Sequence, residues 1–416
     1  MLGEINILNA RQIVYDRFFR PFEGKATASR IGVELEFPLV KIGGGDINKD
    51  YAAGIMEHFL AKGWKVALEG TGGEPLFVEN DLGDCISFDN SYNNFEFSLN
   101  HSDDLTELEG RFREYLEQVQ AYFRRGGMEL VGRGTNPNQP GLSVFHVPFS
   151  TYNMVSEYLH SGRGEHGIND FPAFLSSVQT HLDVDIDILP KAYTLFAKLD
   201  FLRALLFANS PDWEGKGYRL YRDYLWEKSA FGSCPNITGK VDGKFQTVED
   251  LEDYFLQKGM FNRIRDGKYE TFAPVNIREY FENPVYGAKA EDIECYLSFK
   301  SVELTCRGTL EVRGDCAQPF DRAFAPPAFN LGILCAMDEA AELTENFFRE
   351  NGITASNTEL RNIVCEGRDV ELIAPLPQLC RFAKDMTEVA ISALKARKKG
   401  EERLLEKNID ISRITR

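Results

Sequence analysis

Four short segments, far apart in the chain, alternate between apolar residues and acids, amides or a basic group. They are Ile31-Gly-Val-Glu-Leu-Glu-Phe37, Asn94-Phe-Glu-Phe-Ser-Leu99, Val178-Gln-Thr-His-Leu-Asp-Val184 and Leu310-Glu-Val-Arg313. Strand side chains alternate between faces with a period of two. Glu34 and Glu36 therefore share one face of their strand, as do Gln179, His181 and Asp183, or Glu311 and Arg313. If the four segments join one sheet, that face gathers carboxylates. Packed together, such groups repel and their pKa values rise unless cations neutralise them. Hard divalent cations with oxygen ligands are the natural partners. The competing explanation is that each acid only marks the solvent side of an antiparallel strand. It suits any single acid better than it suits the set, because these strands concentrate short acids and amides where a solvated face mixes in Lys and Thr.

The elements that would position these residues can be read from periodicity. Strands are expected at about 30–39, 64–68, 76–79, 85–88, 95–99, 128–131, 175–184, 296–303 and 309–313. Helices are expected at 5–20, 50–63, 105–125, 188–209, 327–349, 357–365 and 377–407. Residues 141–170 read as loop and short helix, and 211–290 as loop and short helix rich in aromatics. The second stretch is too long for a bare connection and is expected to be a lid or substrate-binding excursion. Strands spread through the first three-quarters, with helices between and after them, favour one α+β unit, residues 1–416, around a mostly antiparallel sheet. Its C-terminal part, 325–416, is expected to be helical.

Composition narrows the function. The 416 residues are 43% hydrophobic, enough for a large core, and 47 Lys+Arg against 64 Asp+Glu leave a formal charge of -17. Nucleic acid is thereby disfavoured as a main partner, since phosphate backbones need a basic surface. An anionic small substrate in a local basic pocket remains compatible. No apolar run approaches a membrane span. The amino terminus lacks a basic segment followed by an apolar core, so no signal peptide is read there and the expected compartment is the cytoplasm. The 8 cysteines form no C-x-x-C pair, which speaks against structural zinc.

Several islands together carry a family resemblance. They are Gly32-Val-Glu-Leu-Glu-Phe37; Ile86-Ser-Phe-Asp-Asn-Ser-Tyr-Asn-Asn-Phe-Glu-Phe-Ser98; Val178-Gln-Thr-His-Leu-Asp183; Leu206-Phe-Ala-Asn-Ser-Pro-Asp-Trp-Glu-Gly-Lys216 with Tyr221-Arg-Asp-Tyr-Leu-Trp226; and Leu310-Glu-Val-Arg-Gly-Asp315 with Pro326-Pro-Ala-Phe-Asn-Leu-Gly332. In this order they resemble the glutamate–cysteine ligases of the plant and proteobacterial type, within the glutamine-synthetase-like carboxylate–amine ligases. The chain departs from that pattern at His181, where Asn is expected, in the longer spacing of Asp89 and Glu96, and over 227–290, which shares no island.

The resemblance implies a curved antiparallel sheet forming a funnel-shaped active site, with helices packed outside. It implies ATP and Mg²⁺, with glutamate and an amine such as cysteine as the other small-molecule substrates. Activating a carboxylate as an acyl phosphate moves highly charged oxygens, which calls for positioning and electrostatic stabilisation. On this reading Glu34, Glu36, Asp89, Glu96 and Glu311 are the metal ligands. Arg222 is expected on the glutamate α-carboxylate, because a guanidinium grips a carboxylate with two parallel hydrogen bonds; the alternative is an ion pair with Asp223 or Glu227. Arg313 is expected to neutralise phosphate charge or to pair with a neighbouring acid. Gln179, His181 and Lys216 complete the expected substrate contacts. Gly132-Arg-Gly-Thr135 suggests either a close approach of backbone to a ligand or a simple turn.

Overall fold

A computed structural model of the chain describes residues 8–165, 168–406, 408, 411 and 414. The strands are β1 (Ile31–Lys41), β2 (Lys65–Glu69), β3 (Pro75–Glu79), β4 (Cys85–Phe88), β5 (Asn94–Ser102), β6 (Met128–Leu130), β7 (Ser177–Leu182), β8 (Thr238–Gly239), β9 (Gly259–Arg265), β10 (Lys268–Asn276), β11 (Phe299–Lys300), β12 (Val302–Leu304) and β13 (Leu310–Cys316). Nine of them make one sheet in the order β12-β13-β7-β1-β5-β4-β3-β2, with β6 on the far end of β1. Every pairing in it is antiparallel. The expected α+β architecture around a mostly antiparallel sheet is the one found.

One face of this sheet is apolar. Val33, Leu35 and Phe37 of β1, Phe95, Phe97 and Leu99 of β5, and Val178 and Leu182 of β7 are all buried there. Helix Leu105–Arg125 covers part of it through Leu105, Leu108, Phe112, Tyr115, Val119 and Phe123, a three-and-four spacing that forms a single stripe. Asp104 starts this helix by accepting from the Thr106 backbone N–H at 2.8 Å. Phe112 stacks on Phe37 with ring centroids 5.7 Å apart, and Phe123 meets Phe95 edge-on at 5.4 Å. Truncating such a buried ring to Ala costs about 3–5 kcal/mol.

Helix boundaries depart from expectation where the chain bends. The helix expected at 188–209 is two, Leu189–Lys198 and Asp200–Phe207, and that expected at 327–349 breaks into Ala325–Cys335 and Met337–Glu350. The last long helix runs Leu376–Arg397, ending at Lys398 in the left-handed conformation. Residues 5–7 and 407, expected to be helical, lie outside the described residues. The larger correction falls within 211–290. Beside helices Tyr221–Lys228, Val248–Leu256 and Ile277–Glu282, it contains a β-hairpin, β9–β10, turning through Asp266 and Gly267. Both turn residues have positive φ, 51° and 73°, the twist that a two-residue hairpin loop needs. No helix among the described residues is long and apolar enough to cross a membrane.

The excursion builds a second apolar cluster. Met154, Tyr158 and Phe171 from the 150–175 stretch pack with Leu225, Phe231 and Phe261. It anchors helices Ser150–Leu159 and Tyr221–Lys228, both of which border the cavity over the polar face of the sheet.

Candidate active site

The strand register assembles the polar face. Glu36 of β1 lies opposite Glu96 of β5, and Glu34 lies opposite Gln179 of β7. His181 of β7 lies opposite Glu311 of β13, which in turn faces Glu303 of β12. Five strands therefore place their chemistry on one surface. A bulge in β13 sets Arg313 and Gly314 against Gln179 and turns Asp315 to the other side. There Asp315 accepts from Asn330 Nδ2 at 3.2 Å, within the buried interior.

A cavity of about 280 Å³ stands over this face. Glu34, Glu36, Asp89, Glu96, Gln179, Arg222, Glu311 and Arg313, all expected at a site, line it together. Tyr152 and Val155 border it from one helix, Arg222 and Trp226 from another, and Leu297, Phe299, Lys300 and Ser301 from the segment leading into β12. Trp226 stacks on Phe299 at 4.3 Å and gives this side an apolar wall.

The carboxylates differ in their support. Glu36 is held by the Ser177 backbone N–H at 2.8 Å, the Ser177 hydroxyl at 2.9 Å and Gln179 Nε2 at 2.7 Å. Burial still pushes its carboxyl up, with Arg222 and these donors pulling back. Glu96 has the Ser98 hydroxyl at 2.6 Å; burial, then the charges of Glu34, Asp89 and Glu36, raise it well above the ordinary range. Burial and the Glu36 charge push Asp89 up to about 7. At Glu34 burial also opposes ionisation, but His181, Arg307 and Arg313 outweigh it and hold the carboxyl at about 2. Burial thus holds three of these four carboxyls above their ordinary range.

One atom each of Glu34, His181 and Glu311 lies within 4.8 Å of the others, close enough to share a metal ion. His181 Nε2 is 3.1 Å from Glu34 Oε1, and its Nδ1 is 3.2 Å from the Thr309 hydroxyl. His181, expected among substrate contacts, therefore stands inside this donor cluster. Oxygen-rich donors with one imidazole fit a hard divalent ion.

The cations stand beside these acids. Arg313 Nη1 donates to the Ser298 carbonyl at 2.7 Å, and its Nε is 3.8 Å from Glu311 Oε1. Arg222 Nη2 reaches the Arg313 carbonyl at 3.4 Å, while its Nε is buried without a hydrogen-bond partner. The ion pairs considered for Arg222 belong to other groups: Asp223 pairs with Arg361 at 2.9 Å and Lys240 at 3.5 Å, and Glu227 pairs with Lys240. Burial pushes Lys300 down to about 8.

Three expectations are corrected. Lys216 does not line the cavity; it lies exposed, paired with Glu214 at 2.7 Å and over the Tyr224 ring. Asp183 lies just past the end of β7 and binds Lys25 at 2.8 Å. The glycines of Gly132-Arg-Gly-Thr135 make a close approach to their own chain: a Cβ on Gly132 would meet Pro319 Cα at 2.6 Å, and one on Gly134 would meet Cys316 Cβ at 3.0 Å. Tyr152, Asp223, Trp226, Lys240 and Arg361 also line the cavity, and sequence reasoning did not single them out for it.

The nine-stranded antiparallel sheet carries clustered acids on one face, with guanidinium groups beside them. The family model described as Glutamate-cysteine ligase family 2 (GCS2) matches residues 30–407, and the chain belongs to that family. It is 28% identical over 256 residues to the chloroplastic glutamate–cysteine ligase of Brassica juncea, a match covering 58% of this chain and 48% of that protein. To the chloroplastic enzyme of Solanum lycopersicum it is 27% identical over 319 residues, covering 73% and 59%. The chain spans about half the length of these plant relatives. Among solved structures, glutamate–cysteine ligase from Francisella tularensis in complex with AMP aligns with a TM-score of 0.41 at 12% identity, over 92% of this chain and 82% of that one.

Proposed function

We propose that the chain is an ATP-dependent ligase that joins the γ-carboxylate of glutamate to the amine of cysteine. The observation that carries this reading is the convergence of five strand- and turn-borne acids with Arg222 and Arg313 in one cavity, in a member of this family. In the reaction the γ-carboxylate displaces ADP from the γ-phosphate of ATP. The resulting acyl phosphate is attacked by the amine, which loses a proton as phosphate leaves. Arg222, on a helix of the 211–290 excursion, binds the glutamate α-carboxylate. Arg313, pinned at its other end by the Ser298 carbonyl, stabilises the phosphoryl oxygens. Mg²⁺ would be held by Glu34, His181 and Glu311, with Glu36, Asp89 and Glu96 as the neighbouring acids, and would supply neutralisation of phosphate charge. The apolar wall of Trp226, Phe299 and Leu297 borders the acceptor amine and excludes water from the acyl phosphate. On this reading the sheet and its helices form one catalytic unit, which helix Asn357–Cys365 joins through Arg361. A thiol acceptor must remain reduced, which the cytoplasm ensures.

Purified protein with Mg²⁺, ATP, glutamate and cysteine is expected to release ADP and phosphate and form γ-glutamylcysteine. No amine-dependent ADP release across the proteinogenic amino acids and common polyamines would reject ligase activity. A related reading changes only the acceptor: residues 227–290, which border the cavity through Gly239 and Lys240, share no sequence island with the family. Mass-spectrometric identification of the product from a mixed amine pool separates the two.

A further inference from the structure

Arg361 lies on helix Asn357–Cys365, in the helical C-terminal part, and is wholly buried. Its guanidinium joins three distant segments. Nε donates to Asp223 Oδ2 at 2.9 Å and Nη2 reaches Asp223 Oδ1 at 3.3 Å. Nη1 donates to Asp200 Oδ1 and to the Asp200 carbonyl, both at 2.9 Å. Nη2 also donates to the Gly314 carbonyl at 2.8 Å. Asp223 is the residue after Arg222, and Gly314 is the residue after Arg313. A single planar group thus grips the chain beside both Arg222 and Arg313.

Arg222 has little else to place it, with one long hydrogen bond and an unpartnered Nε. Its position follows from its helix, and Asp223 is that helix's charged tie to the interior. We propose that Arg361 is a positioning residue: it fixes the helix-borne Arg222 relative to the strand-borne Arg313, so that both meet one anionic substrate complex. This rests on the reading of Arg222 and Arg313 as substrate-binding groups. Arg361 uses all five of its N–H donors in a fork that Lys, with one ammonium, cannot reproduce. Displacing a binding group by about 1 Å costs up to about 10²-fold in rate.

The test uses Arg361→Lys and, should that variant fail to fold, Asp223→Asn, which leaves the Asp200 half of the clasp intact. Two readouts are needed. The first is the rate of phenylglyoxal modification of Arg222, followed by peptide mass spectrometry, which requires no assumption about the reaction. It is expected to rise about threefold or more as the helix loosens. The second is a double-mutant cycle with Arg222→Lys. Arg361→Lys is expected to raise the glutamate KM about tenfold on its own and to add almost nothing in the Arg222→Lys background. An unchanged Arg222 modification rate overturns the proposal, as does a KM effect that adds in full to that of Arg222→Lys. If the unaltered protein shows no glutamate-dependent turnover, the ligase reading fails and the modification rate alone decides on Arg361.

Discussion

Two groups of buried charges lie within this molecule, and they are built on opposite plans. On the sheet face, Glu34, Glu36, Glu96, Glu311 and Asp89 collect charge of one sign; burial raises Glu36, and burial with repulsion from neighbouring carboxylates raises Asp89 and Glu96. From the rear wall of the cavity into the interior, Lys240, Asp223, Arg361, Asp200 and Arg203 alternate in sign. Arg203 pairs with Asp200 at 2.7 Å, Asp200 with Arg361 at 2.9 Å, and Arg361 with Asp223 at 2.9 Å. There the chain supplies each charge with its partner, and burial of Asp223 is outweighed by Arg361 and Lys240, which hold its carboxyl low. In the first group carboxylates gather beside carboxylates, whereas in the second each charge is paired with one of opposite sign. Buried charge is therefore informative about function only once its partners have been counted.

That contrast predicts opposite consequences for neutralising one member. Glu311→Gln is expected to cut turnover by about 10³-fold or more, or roughly 4 kcal/mol of transition-state stabilisation. Its thermal midpoint should stay the same or rise, because a like charge has been removed. Wild-type-like turnover would separate the acid face from the chemistry. Arg203→Met is expected to do the reverse: it leaves Asp315 without its paired cation and Asp200 with Arg361 alone, and should lower stability by about 3–5 kcal/mol in urea titrations. Unaltered stability would mean that the rear network is not what holds these segments together.

Between these extremes lies Arg222→Lys. It keeps the charge but loses the two-pronged grip, so the glutamate KM should rise by the equivalent of about 1.5–3 kcal/mol with kcat less affected. A KM change for ATP alone would assign Arg222 to the nucleotide instead.

The acid face also predicts a dependence on pH. Asp89, at about 7 in the folded protein, titrates well above its unfolded value, so the folded state binds more protons between roughly pH 4 and pH 7. Stability should fall as pH rises through that window, by on the order of 1–2 kcal/mol after solvent relaxation is allowed for. Mg²⁺ bound at this face would compete with those protons, so its stabilising effect should be larger at pH 8 than at pH 5. A metal-free thermal midpoint that rises from pH 5 to pH 8 would contradict the cation-poor picture.

How much of this was legible in the sequence follows from the same comparison. The acids on β1, β5, β7 and β13 could be read because period-two alternation assigns a side chain to a face, and strands that pair then align their faces. The rear network could not be read that way. Arg361 sits on a helix, Asp223 within Arg222-Asp223 and Lys240 beside a glycine, and no period links residues whose partners are 17 or 138 positions away. The β9–β10 hairpin is a different case: Asp266-Gly267 between mixed polar and apolar residues was an available turn signal, hidden within a stretch whose many aromatics suggested loops and short helices. Glu303 could have been added to the acid face by its alternation with Val302 and Leu304, but Lys258 and Tyr296 already satisfy it. It belongs with the completed charges.

Lys216 marks the small end of the comparison. It was expected at the substrate because it lies in a glycine-flanked loop within the most family-like island. The side chain is about half exposed, with its ammonium 2.7 Å from Glu214 and 3.3 Å from the Tyr224 hydroxyl, outside the cavity. An exposed pair of this kind contributes little, typically about 0–1 kcal/mol. Lys216→Ala is therefore expected to change glutamate and ATP KM values by less than about twofold and to leave the thermal midpoint within about 2 °C. A tenfold rise in either KM would place this loop over the cavity during turnover and would move Lys216 from the surface to the anion-binding side of the site.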